Sequence, residues 1–156
     1  MKIGIIGGGP AGIACAIQLK RFGLSPVVFE KDKLGGLVHN AGIIENYLGF
    51  PDGISSKEFN GEITEHINKY KINIILEEVQ HVSFSDDKFI VRTPSKSHNF
   101  QFLVIASGTI TNRTQIKKDI SHKVLYDASG LRDKSGLEIG IIGAGDAAFD
   151  YALQVS

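Results

Sequence analysis

Two short stretches carry a spacing that could do chemistry. The first is "GGGPAG", residues 7–12, which contains Gly7-x-Gly9-x-x-Gly12 directly after an apolar, β-branched run at residues 2–6. The next apolar run, "PVVFE", ends in an acid, Glu30. Strand, glycine turn, helix, strand and acid in that order form the pattern of a dinucleotide pyrophosphate site. Gly7 permits the tight turn, Gly9 lets the backbone approach the pyrophosphate without a Cβ in the way, and Gly12 lets helix and strand pack closely. The free N–H groups and positive dipole end of the helix favour a diphosphate. Glu30 can accept both hydroxyls of an adenosine ribose. The second stretch, Gly143-x-Gly145-x-x-Ala148 in "EIGIIGAGDAAFDYALQVS", repeats this logic with alanine in the third place. The strand and acid that would complete its pattern are absent from the sequence, so it speaks for a fold more than for binding in this chain.

Other reactive residue types form no such pattern. His39, His66, His81, His98 and His122 show no metal-ligand spacing with Cys, Asp or Glu, and no metal is expected. Asp146 and Asp150 lie one helical turn apart, but an acid at a helix start is explained by the dipole. No Ser/His/Asp arrangement points to hydrolysis. The single cysteine, Cys15, lies among apolar residues of the first helical stretch and reads as a small core residue. It excludes an intramolecular disulfide and suits a reducing, cytoplasmic compartment.

These residues need elements to hold them. Residues 2–6 read as a strand, 10–22 as a helix stopped by Gly23, and 26–30 as a second strand, a βαβ unit of about 30 residues. Residues 31–53 are glycine-rich and aperiodic, a loop long enough to be functional. Ser55 and Glu58 form a capping box for a helix over 56–71 with Phe59, Ile63, Ile67 and Tyr70 on one face. Residues 72–79 read as a strand. Val82 and Phe84, then Phe89 and Val91, alternate about the turn "SDDK" as a hairpin. A strand follows at 100–106, ending "ASGT". Residues 109–136 are irregular, with one extended piece, "KVLYD". A last strand is expected at 138–142 and a helix from Asp146 onward.

Length and composition bound the rest. The chain has 156 residues, 42% hydrophobic and 22% charged, with 17 Lys+Arg against 17 Asp+Glu. That is the balance of one globular domain of ordinary size and too little for two complete ones. A net charge of zero lacks the basic footprint of a nucleic-acid binder. No apolar run reaches the ~20 residues of a membrane span, and Gly7-Gly8-Gly9-Pro10 interrupts the N-terminal run too early for a signal peptide.

"GGGPAG", "LGGL", "IENYLGFPDGIS", "LVIASGT" and "IGIIGAGDAAFDYAL", in this order and spacing, closely resemble the thioredoxin reductase-like flavoproteins of the pyridine nucleotide-disulfide oxidoreductase superfamily. The resemblance runs nearly end to end. It implies an α/β fold: a Rossmann-like FAD-binding βαβ domain with a small antiparallel β insert, plus the first strand and helix of a second Rossmann-like NAD(P)H domain. The implied boundaries are 1–112 for the FAD-binding segment, 113–137 for a linker and 138–156 for the beginning of an incomplete NAD(P)H-binding domain. By resemblance, Gly7, Gly9, Pro10 and Ala11 would hold the FAD pyrophosphate and Glu30 the adenosine ribose, with Gly12 and Lys31 also among the cofactor-binding residues. Gly35, Gly36 and Leu37 would pass close to the flavin. Asn46 would bond the flavin or ribityl chain, and Val79 would contact adenine through its backbone. Ala106, Ser107 and Gly108 would return the chain past the cofactor. Gly143 and Gly145 belong to the NAD(P)H motif. Leu48 departs from a common proline, which alters loop stiffness more than chemistry.

One departure concerns sulfur. Members of this type carry a Cys-x-x-Cys just upstream of the second glycine motif, and Asp127, Ala128, Ser129 and Gly130 stand in that place here. Without a dithiol no group passes electrons from reduced flavin to a disulfide. The nearest type is therefore the ferredoxin– or flavodoxin–NADP reductases of thioredoxin reductase-like form: hydride from NAD(P)H to flavin, then electrons to an acceptor protein or quinone-like molecule. No side chain is required as acid or nucleophile, so no catalytic residue is expected. The full-length family implies a homodimer. A truncated, non-catalytic FAD- or nucleotide-binding module, a thioredoxin reductase homologue that has lost its dithiol, and a chain completed by a partner all remain open. The expectation for the chain alone is weak or no FAD binding and no turnover of NAD(P)H.

Overall fold

The computed structural model describes residues 1–110, 124–131 and 134–156. It divides into two compact units, Met1–Val38 with Lys57–Gly108, and His39–Ser56 with Thr109–Ser156.

The first unit is built on a four-stranded parallel sheet of order β5-β2-β1-β9. Its strands are β1 (Ile3–Ile6), β2 (Val27–Phe29), β5 (Asn73–Ile75) and β9 (Phe102–Ile105). Gly4 of β1 lies opposite Val27 on one side and Leu103 on the other. Helix α1 (Pro10–Arg21) links β1 to β2, and α2 (Ser56–Tyr70) precedes β5. Each helix buries an apolar stripe, and that of α2 is the one its spacing predicts. Ile13 and Ala16 are buried on α1, and Phe59, Ile63 and Ile67 on α2, with Tyr70 only half-buried. Parallel strands need cover on their faces, and these stripes are what α1 and α2 contribute.

Between β5 and β9 the chain forms an antiparallel sheet, β6 (His81–Ser85), β7 (Lys88–Arg92) and β8 (Ser97–Phe100). Asp86 and Asp87 close the hairpin with φ of +51° and +57°, the left-handed pair that a two-residue hairpin turn requires. Val91 and Phe100 of this sheet bury against Phe29, with Val27, Ile75, Val79, Phe89 and Leu103 packed around them. The Phe29 and Phe100 rings meet edge-on at 5.7 Å between centroids. A side chain at Gly4 would come within 2.9 Å of the Phe100 ring, so the bare residue in β1 is what lets the second sheet approach.

In the second unit, β3 (Ile43–Ile44) and β4 (Ile54–Ser55) pair antiparallel. Helix α3 spans Asp146–Val155. The Gln154 amide donates to the Asn40 carbonyl at 3.4 Å.

The α/β class, the parallel Rossmann-type sheet and the small antiparallel insert are as expected. Several local expectations need correction. The strand expected over 72–79 is only Asn73–Ile75, because Glu30 N–H takes the Ile75 carbonyl and the chain then leaves for the other sheet. The strand expected at 100–106 is two strands. Phe100 ends β8, Gln101 crosses between the sheets, and β9 begins at Phe102. The loop 31–53 contains a 3-10 turn, Gly36–Asn40, and the strand β3. Residues 138–142 form no strand: among the described residues they have no ladder partner, and Ile142 is 81% exposed. A strand without a neighbour leaves its backbone groups unpaired. "KVLYD" is likewise not a strand from Val124 onward, and Ser129–Leu131 is a 3-10 turn. Lys123, like most of the stretch read as a linker, lies outside the described residues.

Candidate nucleotide-binding site

The site sits where β1 hands over to α1. Gly7 has φ +107°, a conformation that residues with a Cβ rarely hold. Its N–H donates to the Phe29 carbonyl at 2.8 Å. A Cβ at Gly7 would collide with the Ala106 carbonyl oxygen, and a Cβ at Gly12 with the Gly7 carbonyl oxygen. These two glycines are demanded by the protein's own backbone.

Gly9 is different. A Cβ there would meet nothing within 4 Å. Gly9 is the N-cap of α1, no side chain caps it, and Pro10 stands at the first helical position. The first helical bond runs from Ile13 N–H to the Gly9 carbonyl at 3.0 Å. The N–H groups of Ala11 and Gly12 therefore lie in the first turn with no acceptor inside the helix. No acidic residue occupies that turn, so its positive end is uncompensated from within. The result is a stretch of bare backbone donors beside open space at Gly9, which fits the diphosphate of a dinucleotide.

Glu30 follows β2 and is only 9% exposed. Its Oε2 accepts the Gly8 N–H at 2.7 Å and its Oε1 accepts the Asp32 N–H at 3.0 Å. A carboxylate oxygen offers two acceptor positions, so each has one not taken by these two N–H groups. Lys31 beside it is exposed. The "LGGL" segment lies against the same glycines. Gly35 N–H donates to the Gly8 carbonyl at 2.8 Å, and a Cβ at Gly36, whose φ is +57°, would stand 3.5 Å from Gly9 Cα. Leu37 is 54% exposed. Ala106 closes the other side, its N–H donating to the Ile6 carbonyl at 2.8 Å. Ser107 and Gly108 continue outward, exposed.

The structure thus brings Gly7, Gly9, Pro10, Ala11, Gly12, Glu30, Gly35, Gly36 and Ala106 together within the first unit. The Val79 side chain packs on the Phe29–Val91–Phe100 cluster. Asn46 lies in the second unit, exposed between β3 and β4. Gly143 and Gly145, also in the second unit, are exposed ahead of α3. Gly143 has φ +142°, and a Cβ there would stand 3.6 Å from the Ala148 Cβ. Cys15 is half-buried rather than a full core residue, since its helix position faces the margin of the apolar stripe.

Sequence reasoning missed Gly8. It is buried, and a Cβ would come within 2.9 Å of Leu34 Cδ2 and 3.0 Å of Glu30 Cβ. The only local signal was a third consecutive glycine at a position that the motif leaves free.

The model of the pyridine nucleotide-disulphide oxidoreductase family matches residues 1–156. The bifunctional thioredoxin reductase/thioredoxin of Mycobacterium leprae is 31% identical over 157 residues, covering 96% of this chain and 34% of that protein. The crystal structure of a ferredoxin-flavin thioredoxin reductase from Clostridium acetobutylicum superposes with a TM-score of 0.67 at 33% identity, over 72% of this chain and 39% of that one. The bacillithiol disulfide reductase of Staphylococcus aureus shares the fold at a TM-score of 0.80 and 23% identity, over 99% of this chain and 53% of that one. The chain spans about a third to a half of the length of the curated relatives it matches. Glycine turn, buried acid and parallel sheet agree with the family match over all 156 residues, and the chain belongs to the pyridine nucleotide-disulphide oxidoreductase family.

Proposed function

We propose that this chain carries the FAD-binding segment of an FAD-dependent NAD(P)H oxidoreductase that works without a redox dithiol. The observation that carries the reading is Gly9: an uncapped helix start with open space where a side chain would be, backed by a buried acid. FAD, when bound, accepts a hydride from the nicotinamide and releases electrons onward. The residues here bind and orient. The N–H groups of Ala11 and Gly12, with the bare Gly9 and Pro10, hold the pyrophosphate across the turn fixed by Gly7. Glu30, beside Lys31, takes the ribose hydroxyls. Gly35, Gly36 and Leu37, with Ala106, Ser107 and Gly108, flank the route toward the flavin, Val79 borders the adenine, and Asn46 serves the ribityl or flavin end. On this reading residues 1–112 are the FAD segment, 113–137 the linker and 138–156 the opening of an NAD(P)H domain to which Gly143 and Gly145 belong.

The acceptor is a redox protein. These 156 residues hold one cysteine, Cys15, and so no sulfur pair for a disulfide relay, which favours direct delivery to a one-electron carrier such as ferredoxin or flavodoxin.

FAD titration followed by flavin fluorescence tests the reading. We expect weak, saturable binding by the chain, reduced about tenfold or more in Gly9→Val, which fills the cradle and removes close approach to several N–H donors. Gly9→Val should lower the melting temperature by no more than the modest cost of a poorer helix N-cap, because its Cβ enters open space. Equal FAD affinity in the two proteins would sink the assignment of this cradle.

A further inference from the structure

We propose that Glu30, through Gly8, is a positioning residue for the Gly35–Gly36 turn as well as a ribose ligand. The two ends of the bound dinucleotide would then be mechanically coupled before any ligand spans them. The inference rests on the nucleotide reading of this site and adds to it a residue to which the glycine motif gives no role.

The Gly8 peptide group is held from both sides. Its N–H donates to Glu30 Oε2 at 2.7 Å, and its carbonyl accepts the Gly35 N–H at 2.8 Å. The other Glu30 oxygen accepts the Asp32 N–H at 3.0 Å. The carboxylate therefore fixes both the glycine turn and the start of the loop that leads to Gly35. Gly8 and Gly35 are both buried, so neither bond is readily exchanged for one to water. Packing reinforces the clamp. Gly8 is wedged between Leu34 and the Glu30 stem, and Gly36 lies against Gly9. A hydrogen bond to an ionised acceptor is shorter and stronger than a neutral one, and hydrogen bonds in series polarise one another. A change at the carboxylate is thus passed along one peptide group to Gly35. A hydroxyl arriving on Glu30 shares its oxygens with Gly8 and Asp32, and so reaches the far turn without touching it.

Amide hydrogen exchange by NMR, on the full chain without nucleotide, separates this from a purely structural role. In Glu30→Gln the carboxamide can accept one of the two N–H groups and opposes the other with its own NH2. Exchange at Gly8 and at Gly35 should accelerate about tenfold or more, while the Ala106 amide, bonded to Ile6 on the opposite side of the turn, should keep its protection. Glu30→Ala should show the same order more strongly. If Gly35 keeps its protection while Gly8 loses it, or if all three amides speed up together, the coupling is wrong. The second arm adds adenosine, which carries the ribose and no phosphate. It should shift exchange at Gly8 and Gly35 in the same direction, and a shift at Gly8 alone overturns the coupling. Should adenosine shift neither amide, the ribose role of Glu30 fails, while the comparison with Glu30→Gln still decides the coupling.

Discussion

A methyl group added at Gly12 would collide with the carbonyl oxygen of Gly7. Backbone cannot swing aside as a side-chain end can, so Gly12→Ala must push α1 away from β1. Overpacking of this kind costs about 1–3 kcal/mol, so thermal unfolding followed by circular dichroism should show Tm lowered by several degrees. Gly9→Val is the informative contrast, because it should lose ligand at only the smaller cost of a poorer N-cap. An unchanged Tm in Gly12→Ala would mean that the close approach of helix and strand is not maintained in solution. The glycine spacing made the turn at Gly7 and the packing at Gly12 legible, because both needs arise within a few residues of the motif. The need for Gly8 was not legible. It comes from Glu30, 22 positions away, and from Leu34 and Gly35, and no local pattern encodes contacts that form only when β2 has paired with β1.

Strand β8 carries a histidine in an unusual setting. His98 lies edge-on to Phe29 at 5.0 Å and stacks on Phe100 at 6.3 Å, and its buried Nε2 has no hydrogen-bond partner. Burial first, then the charge of Lys96, lower its pKa below the ordinary 6.5, with Glu77 opposing. The unfolded chain then binds a proton more readily than the folded one, so stability is full above pH 6.5 and is lost as pH falls toward the lowered folded value. Glu77 is also shifted down, by hydrogen bonds from Thr93 and Ser95 that act against desolvation. Its share is present above its ordinary 4.5 and is lost at lower pH. Tm measured against pH should therefore fall in two stages, and His98→Phe should remove the upper one only. A first decline unchanged in that variant would show that His98 does not cause it. At this scale the helices were the readable elements, since the α2 stripe of Phe59, Ile63 and Ile67 needs only a period. The strand limits were not. The end of β5 and the break at Gln101 are set by which sheet each residue joins, and residues 138–142 have strand composition without a partner to make it a strand.

Taken as a whole, the chain holds one well-formed glycine cradle and one exposed one. Gly143 and Gly145 precede a helix, yet residues 138–142 before them form no strand. NADPH mixed with the chain and excess FAD should be oxidised no faster than by free FAD, and faster oxidation would show that residues 138–156 make a working nicotinamide site. Among the described residues no helix is long and apolar enough to cross a membrane, and no group of three or more His, Cys, Asp or Glu is placed to hold a metal ion. The cradle at the start of α1 has a further property that follows from its construction. Its donors are peptide N–H groups, so it presents no thiol to alkylate, no amine to acylate and no imidazole to oxidise. Reagents that disarm most enzymes by modifying a side chain have no target at its centre, and chemical ageing of the protein would spare this surface until the fold itself gave way.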